Sequence, residues 1–134
     1  MGVVHHSNYL AYMEEARTAL LASLGCPYGE LEKTGIALPV RKLDLRYWAP
    51  AHYEDEIAVW VSVVRVGTAS VVFGYEILHA ADGHRLTTGK IELACIDLRD
   101  EARRPCPLPD TVRRALTGLE VSQDVGSTLG ARSR

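Results

Sequence analysis

The sequence lacks several features that would assign a class of function at once. Its 134 residues contain no unbroken apolar run of about 18 residues, so no transmembrane helix or membrane insertion is expected. The N-terminus has no basic segment followed by an apolar block, so no signal peptide is expected. The net charge of −2 predicts no strong attraction to nucleic acid. The 47% apolar and 24% charged content is ordinary for one soluble globular domain.

Cysteine is scarce, and familiar catalytic motifs are missing. The three cysteines, Cys26, Cys95 and Cys106, are odd in number and widely spaced, which supports neither a disulfide framework nor a zinc site. We therefore expect free thiols in a reducing, cytoplasmic compartment, and neither a metal nor another cofactor. The sequence contains no glycine-rich phosphate loop and no Gly-x-Ser-x-Gly elbow, which sets those enzyme classes aside.

The first 25 residues instead contain a glycine turn followed by a long amphipathic helix. Ser7 or Asn8 is the predicted N-cap, and apolar residues recur at helical spacing as far as Leu24. Gly25 and Pro27 end the helix, which we expect to be largely buried. A helix start presents unpaired N–H groups and a positive dipole end, which stabilise developing negative charge. Polar residues cluster at this helix start: His5, His6, Ser7 and Asn8.

Beyond Gly35 the pattern changes from helical spacing to strands. The four predicted strands span residues 36–47, 57–66, 69–80 and 86–98. Asp82-Gly83 is the strongest hairpin signal, and Gly67-Thr68 is a second. Short helices are predicted at residues 28–33 and 110–116. We expect one domain over residues 1–118 and a flexible tail over 119–134. This order predicts an α+β fold with an antiparallel sheet against one helix.

Six segments match a known family in residue type and in order. They are GVVHHSNYL (residues 2–10), EEART (14–18), VRK (40–42), YWAP (47–50), DE (55–56) and GTASVVF (67–73). The sequence thereby resembles the hotdog-fold acyl-CoA thioesterases, most closely the 4-hydroxybenzoyl-CoA thioesterase family with its Tol-Pal-associated bacterial members. The resemblance spans residues 2–116.

The resemblance implies a fold, an activity and an assembly. The hotdog fold is an antiparallel sheet wrapped around one long central helix. The implied activity is hydrolysis of an acyl-CoA thioester to a free acid and CoA. Family members pair as homodimers or homotetramers, with the helix start of one chain facing strands of the other. We therefore expect acyl-CoA as the substrate and a second copy of this chain as the partner.

The family's opening pattern departs from this sequence at one important position. The family Asp, a nucleophile or general base, would lie two residues before Met1, and the family's first strand is missing as well. Three explanations stay open: a start assigned too far downstream or a trimmed chain, a natural variant that binds acyl-CoA or acts as a scaffold without hydrolysis, and a relocated carboxylate. Glu14 is the candidate for the relocated carboxylate. Its structural alternative is an ion pair with Arg17, three residues further on, or a buried structural contact.

Three other residues are site candidates by the resemblance. His6 matches a family His and would orient the thioester or the attacking water, although capping the helix explains it equally well. Asn8 could bond a ligand carbonyl, or it could act as the N-cap. Val40 would line the acyl pocket, and core packing is the alternative.

The predicted turn after the second strand offers candidates for binding CoA. Family members often carry basic residues just before the position of Ser70, where they touch CoA phosphates. This sequence has Thr68 and Ala69 there, which weakens the match. Arg65 could supply the missing charge, with surface solvation as its alternative. Arg65, Thr68 and Ser70 are therefore predicted to bind substrate.

Overall fold

The computed structural model describes residues 6–52, 55–120 and 128–133. Its side chains are described over residues 9–52 and 55–120. The described ranges contain three helices: α1 (His6–Ser23), α2 (Tyr28–Lys33) and α3 (Asp110–Thr117). The strands in these ranges are β1 (Ile36–Ala37), β2 (Val40–Tyr47), β3 (Ile57–Val66), β4 (Ser70–His79), β5 (Arg85–Ala94), β6 (Ile96–Asp97) and β7 (Thr128–Ser133).

Five strands form one antiparallel sheet in the order β2-β5-β4-β3-β7, and β1 pairs with β6 beside it. Both predicted hairpins are confirmed. Gly83 adopts a φ of +76° at the β4–β5 turn, a conformation that favours glycine. At the β3–β4 turn, the amide of Gly67 donates to the carbonyl of Ser70 at 2.8 Å. With α1 against the sheet, the predicted α+β hotdog fold is confirmed.

The core lies between α1 and one face of the sheet. Alternate residues of β3 and β4 are buried, as expected for strands with only one face on the core. Phe73, the single phenylalanine of the chain, is fully buried at the centre of β4. Met13 and Leu20 contribute from α1 to the same cluster. The helix is less buried than predicted, because a face that includes Ala11 and Thr18 is exposed.

Three predicted boundaries are wrong. Helix α1 begins at His6, so Ser7 and Asn8 lie inside its first turn and do not precede it as the N-cap. The predicted strand over residues 36–47 is divided at Pro39, which lacks the N–H that a central ladder needs. The predicted strand over 86–98 is divided at Cys95, whose amide bonds the carbonyl of Ala69 at 2.8 Å.

The C-terminal residues also differ from the expectation of a flexible tail. Residues 128–133 form β7, which pairs antiparallel with β3 from Ile57↔Ser133 to Ser62↔Thr128. An unpaired β3 edge would present free backbone donors and acceptors, and β7 satisfies them. Residues 121–127 lie outside the described residues. Within the described ranges, no helix has both the length and the apolar character needed to cross a bilayer.

Candidate active site

The central sheet has two ends that matter for function. We call one the helix-start end, because the first turns of α1 lie over Tyr47 of β2 and Thr87 of β5. The other is the turn end, where Val40 of β2 and Ser70 of β4 lie next to the end of β5. The predicted site residues are divided between these two ends.

Buried polar groups lie beneath the first turns of α1. Tyr9 stacks on Tyr47 with ring centroids 6.2 Å apart, and burial raises the pKa of its phenol. The neighbouring Thr87 hydroxyl opposes this shift in pKa, and the charge of Asp55 adds to it. Thr87 is fully buried, yet its Oγ1 makes no hydrogen bond of acceptable geometry within the described part of the chain. The helix-start end therefore places a buried hydroxyl beside two phenols.

Four of the predicted substrate-binding residues lie at the turn end. Arg65 and Thr68 are exposed around the β3–β4 turn, and Arg65 follows a β-bulge. Ser70 is buried at the first position of β4, beside Ala94 of β5. Val40 is half-exposed at the start of β2, so it does not belong to the core of a single chain. These residues share one end of the sheet.

The remaining predicted residues lie along α1. His6 and Asn8 occupy its first turn, but their side chains lie outside the described residues. Glu14 is exposed and makes no ion pair with Arg17 among the described side chains, so that structural alternative is wrong. The reason is that Arg17 turns inward: it is buried and donates from Nη1 to the Tyr75 hydroxyl at 3.4 Å.

The Tyr75 hydroxyl predicts a loss of stability at alkaline pH. Burial raises its pKa to about 12, although the charge of Arg17 opposes this. Because the folded-state pKa lies above 10.0, the usual value for tyrosine, the stabilising contribution is complete below pH 10 and is lost as the pH rises toward 12. Burial also raises the pKa of the Cys95 thiol to about 12, which acts in the same direction. Urea unfolding from pH 8 to 11.5 should show this decline.

The matched variant for that measurement is Tyr75→Phe. Its free energy of unfolding should be about 1 kcal/mol lower at pH 7, because it lacks the hydrogen bond from Arg17. Its decline above pH 10 should be shallower than that of the unmodified protein, and Cys95 should account for part of what remains. An equally steep decline in both proteins would show that Tyr75 does not carry the effect.

The two ends cannot form one site within a single chain. β2 runs the whole way from Val40 at the turn end to Tyr47 at the helix-start end. Its eight residues span about 25 Å at the usual rise of a strand. The predicted catalytic group on α1 and the predicted CoA-binding residues are therefore far apart unless a second chain is present.

The outer edge of β2 is the most apolar exposed surface of the described chain. Within the described ranges, β2 pairs only with β5, so its other edge has no partner strand. Of six exposed large apolar residues, four lie on or just after β2, with 44–50% of their surface exposed: Val40, Leu43, Tyr47 and Trp48. Seven of the eight residues of β2 are exposed, so its apolar side chains are largely uncovered within one chain. Such an edge is typical of a surface that pairs with another strand.

Comparison with known proteins shows which family this architecture belongs to. Residues 1–116 match the profile of the Thioesterase-like superfamily. The chain belongs to this superfamily. This thioesterase-like chain is 30% identical to the acyl-CoA thioester hydrolase YbgC of Escherichia coli O6:H1 over 96 residues, which cover 72% of this chain and 71% of YbgC. The family resemblance predicted from the sequence is thereby confirmed.

Two further relatives extend the comparison. The chain is 38% identical to YneP of Bacillus subtilis over 81 residues, which are 60% of this chain but only 59% of YneP, less than two thirds of its length. The crystal structure of Slr0204, a 1,4-dihydroxy-2-naphthoyl-CoA thioesterase from Synechocystis, superposes with a TM-score of 0.79 at 27% identity. That superposition covers 88% of this thioesterase-like chain and 85% of Slr0204.

Sequence reasoning missed the polar groups at the helix-start end. Thr87 looks like an ordinary strand residue, and Tyr47 belongs to a predicted strand and to a family segment without an assigned role. What brings them beneath Tyr9 is the register of β2 against β5, in which Tyr47 pairs with Thr87. That pairing joins residues distant in sequence, and no local signal encodes it. Even the burial along β5 does not alternate strictly, since the neighbours Leu86 and Thr87 are both fully buried.

Proposed function

We propose that this thioesterase-like chain hydrolyses acyl-CoA thioesters to a free acid and CoA, at a site formed by two copies of the chain. Hydrolysis is the activity implied by its superfamily and by the name of its relative YbgC. The observation that carries the two-chain site is the separation of the helix-start end from the turn end along β2. The alternative of a scaffold without hydrolysis is not favoured by these relatives.

An antiparallel pairing of two β2 edges would bring the separated groups together. A two-fold axis beside β2 places the Val40 end of one copy next to the Tyr47 end of the other. The helix start of each copy then faces the turn end of its partner. The same pairing covers the exposed Leu43 and satisfies the open edge of β2. A homodimer is the smallest assembly that meets these requirements, and a homotetramer of two such dimers is compatible with them.

The reaction needs a polarised carbonyl and a carboxylate. Unpaired N–H groups in the first turn of α1 would accept the negative charge that develops on the thioester oxygen. His6 lies in that turn, where it would orient the thioester or the attacking water. Water adds to the carbonyl carbon, the C–S bond breaks, and the CoA sulfur takes up a proton. Glu14, on the exposed face of the same helix two turns further on, is the candidate carboxylate for activation of the water.

The other candidates would hold the substrate. Arg65 would pair with CoA phosphates from the turn end, and Thr68 and Ser70 would offer hydroxyls beside it. Val40 would contact the acyl group across the interface. Slr0204 acts on an aromatic acyl-CoA by its name. The stacked Tyr9–Tyr47 pair makes an aromatic acyl group a reasonable substrate here too. The cytoplasmic location expected from the cysteines remains part of this proposal.

Release of free thiol from a panel of aromatic and aliphatic acyl-CoAs tests the activity. His6→Ala should lower kcat about 100-fold, in the range for loss of an acid–base or orienting group. Glu14→Gln should do the same, whereas Glu15→Gln, the exposed neighbour on the same helix, should retain full activity. Unchanged turnover in Glu14→Gln would exclude Glu14 as the carboxylate. Tight acyl-CoA binding without thiol release would support a binding protein instead.

Mixing two inactive variants tests whether the site is shared. A His6→Ala chain keeps its turn end, and an Arg65→Glu chain keeps its helix start. A mixed dimer then contains one site in which both parts are intact. Refolding an equal mixture should restore about a quarter of full activity, because half of the dimers are mixed and each has one working site. Activity no higher than that of the separate variants would contradict a shared site.

A further inference from the structure

The β4–β5 hairpin carries a group of side chains that the proposed function does not use. His79 ends β4, and Asp82 and His84 lie in the turn that follows. One ring nitrogen from each His and one carboxylate oxygen from Asp82 all lie within 4.8 Å of one another. We propose that these three residues form a binding site for a divalent transition-metal cation of the zinc type, which ties the hairpin together.

The hairpin itself brings the two imidazoles together. Gly83 takes the φ of +76° that the tight turn requires, and the amide of His79 donates to the carbonyl of His84 at 2.9 Å. Residues 79 and 84 thus face each other across the hairpin, and their rings stack with centroids 4.9 Å apart. The sequence alone showed no standard ligand spacing, because the site depends on a turn that folds the chain back between its ligands.

The atoms within the cluster are suited to a cation. Nδ1 of His79 is buried and makes no hydrogen bond with the described residues, and the nearest carboxylate oxygen, Oδ1 of Asp82, is 3.5 Å away. The same oxygen lies 2.5 Å from Nδ1 of His84. A single carboxylate oxygen therefore stands between two imidazole nitrogens. A buried ring nitrogen without a partner is costly, and a bound cation would satisfy it.

A second carboxylate lies near the other ring nitrogen of His79. Oδ1 of Asp55, just before β3, lies 3.4 Å from Nε2 of His79. Asp55 is itself fixed, since its Oδ2 accepts the backbone N–H of His52 at 2.9 Å. An imidazole that ligates a metal characteristically donates its other N–H to a carboxylate in this way. A proton on Nε2 would point toward Asp55 and would leave the lone pair of Nδ1 directed into the cluster.

The types of ligand atom and their exposure indicate which cation the site would bind. Two imidazole nitrogens and one carboxylate oxygen, with water in a fourth position, are ligands that Zn²⁺ takes in tetrahedral sites. Asp82 and His84 are exposed, so they can turn about their side-chain bonds to close around the ion.

Calorimetric titration of the metal-free full chain with zinc chloride tests the proposal. One ion should bind per chain, and His79→Gln or His84→Gln should each weaken binding by more than about 10-fold, the lower limit for loss of an outer-shell partner. Asp55→Asn, which leaves all three ligands in place, should weaken it about 10- to 100-fold. His52→Gln is the matched control, because this exposed histidine lies beside Asp55 but contributes no ligand. It should bind zinc like the unmodified chain.

Thermal unfolding supplies a second measurement that does not depend on heat of binding. Zinc should raise the unfolding midpoint of the unmodified chain and of His52→Gln, but not that of a His79→Gln/His84→Gln double variant. Zinc binding that survives in the double variant would place the ion elsewhere, for example at His5 and His6, and would overturn the proposal. So would the absence of binding to the unmodified chain. Either result leaves the thioesterase proposal untouched, since no step of hydrolysis uses this hairpin.

Discussion

Replacing Leu43 with Glu should halve the mass of the protein in solution and lower thiol release by about 1000-fold. Leu43 is 45% exposed at the centre of the open β2 edge. A carboxylate there would be buried without a partner in a β2–β2 interface, so the dimer should dissociate. Each helix start would then lose the turn end of its partner. Light scattering and the thiol assay measure the two consequences on one sample.

The matched control is Leu98→Glu. Leu98 has a similar exposure, 41%, but lies just after β6 and away from the β2 edge. This variant should keep both the mass and the activity of the unmodified protein. Far-UV circular dichroism should be unchanged in both variants, because neither leucine is buried in the single chain. A Leu43→Glu protein that remains dimeric and active would show that β2 is not the interface.

Phe73→Ala should produce the largest loss of stability, about 3–5 kcal/mol in the free energy of unfolding. Phe73 is fully buried in β4, opposite Val63 of β3 and Ile91 of β5, which are also buried. Removing its ring takes away a large apolar contact and leaves a cavity that the paired strands cannot close. Chemical denaturation at a fixed protein concentration measures the change, because dimer formation also contributes to stability.

Val72→Ala is the comparison within the same strand. Val72 is adjacent to Phe73 but points to the opposite face of the sheet, where it is only half-buried. Its truncation should cost less than about 1.5 kcal/mol. Similar losses in the two variants would mean that the face toward α1 is not the principal core.

Much of the fold could be predicted from the sequence because its signals are local. Helical spacing identified α1, and Asp82-Gly83 identified the β4–β5 turn. The division at Pro39 could have been foreseen, since proline rarely continues a strand. β7 could not, because Thr128–Ser133 has a loop-like composition and becomes a strand only beside the free edge of β3.

The candidate site was less predictable because it depends on pairing over long distances. The family motif identified His6, and the same segment includes Tyr9. It did not reveal that Thr87 lies beside Tyr9 through the register of β2 and β5. Arg17 was assigned to Glu14 by helical spacing, yet burial directed it toward Tyr75. Local rules fail here because tertiary packing outweighs a surface ion pair of about 0.5 kcal/mol.

The strand order has a consequence for how the chain folds. β3, β4 and β5 are joined by tight turns and can form a meander early, whereas β2 must wait for β5. Arg41 and Glu92, which pair across β2 and β5, are 51 residues apart in the sequence. Closing so long a loop is slow, so β2 should dock late on the folding pathway. During synthesis, β2 leaves the ribosome before β5 has been made. Its apolar edge is then exposed to premature association.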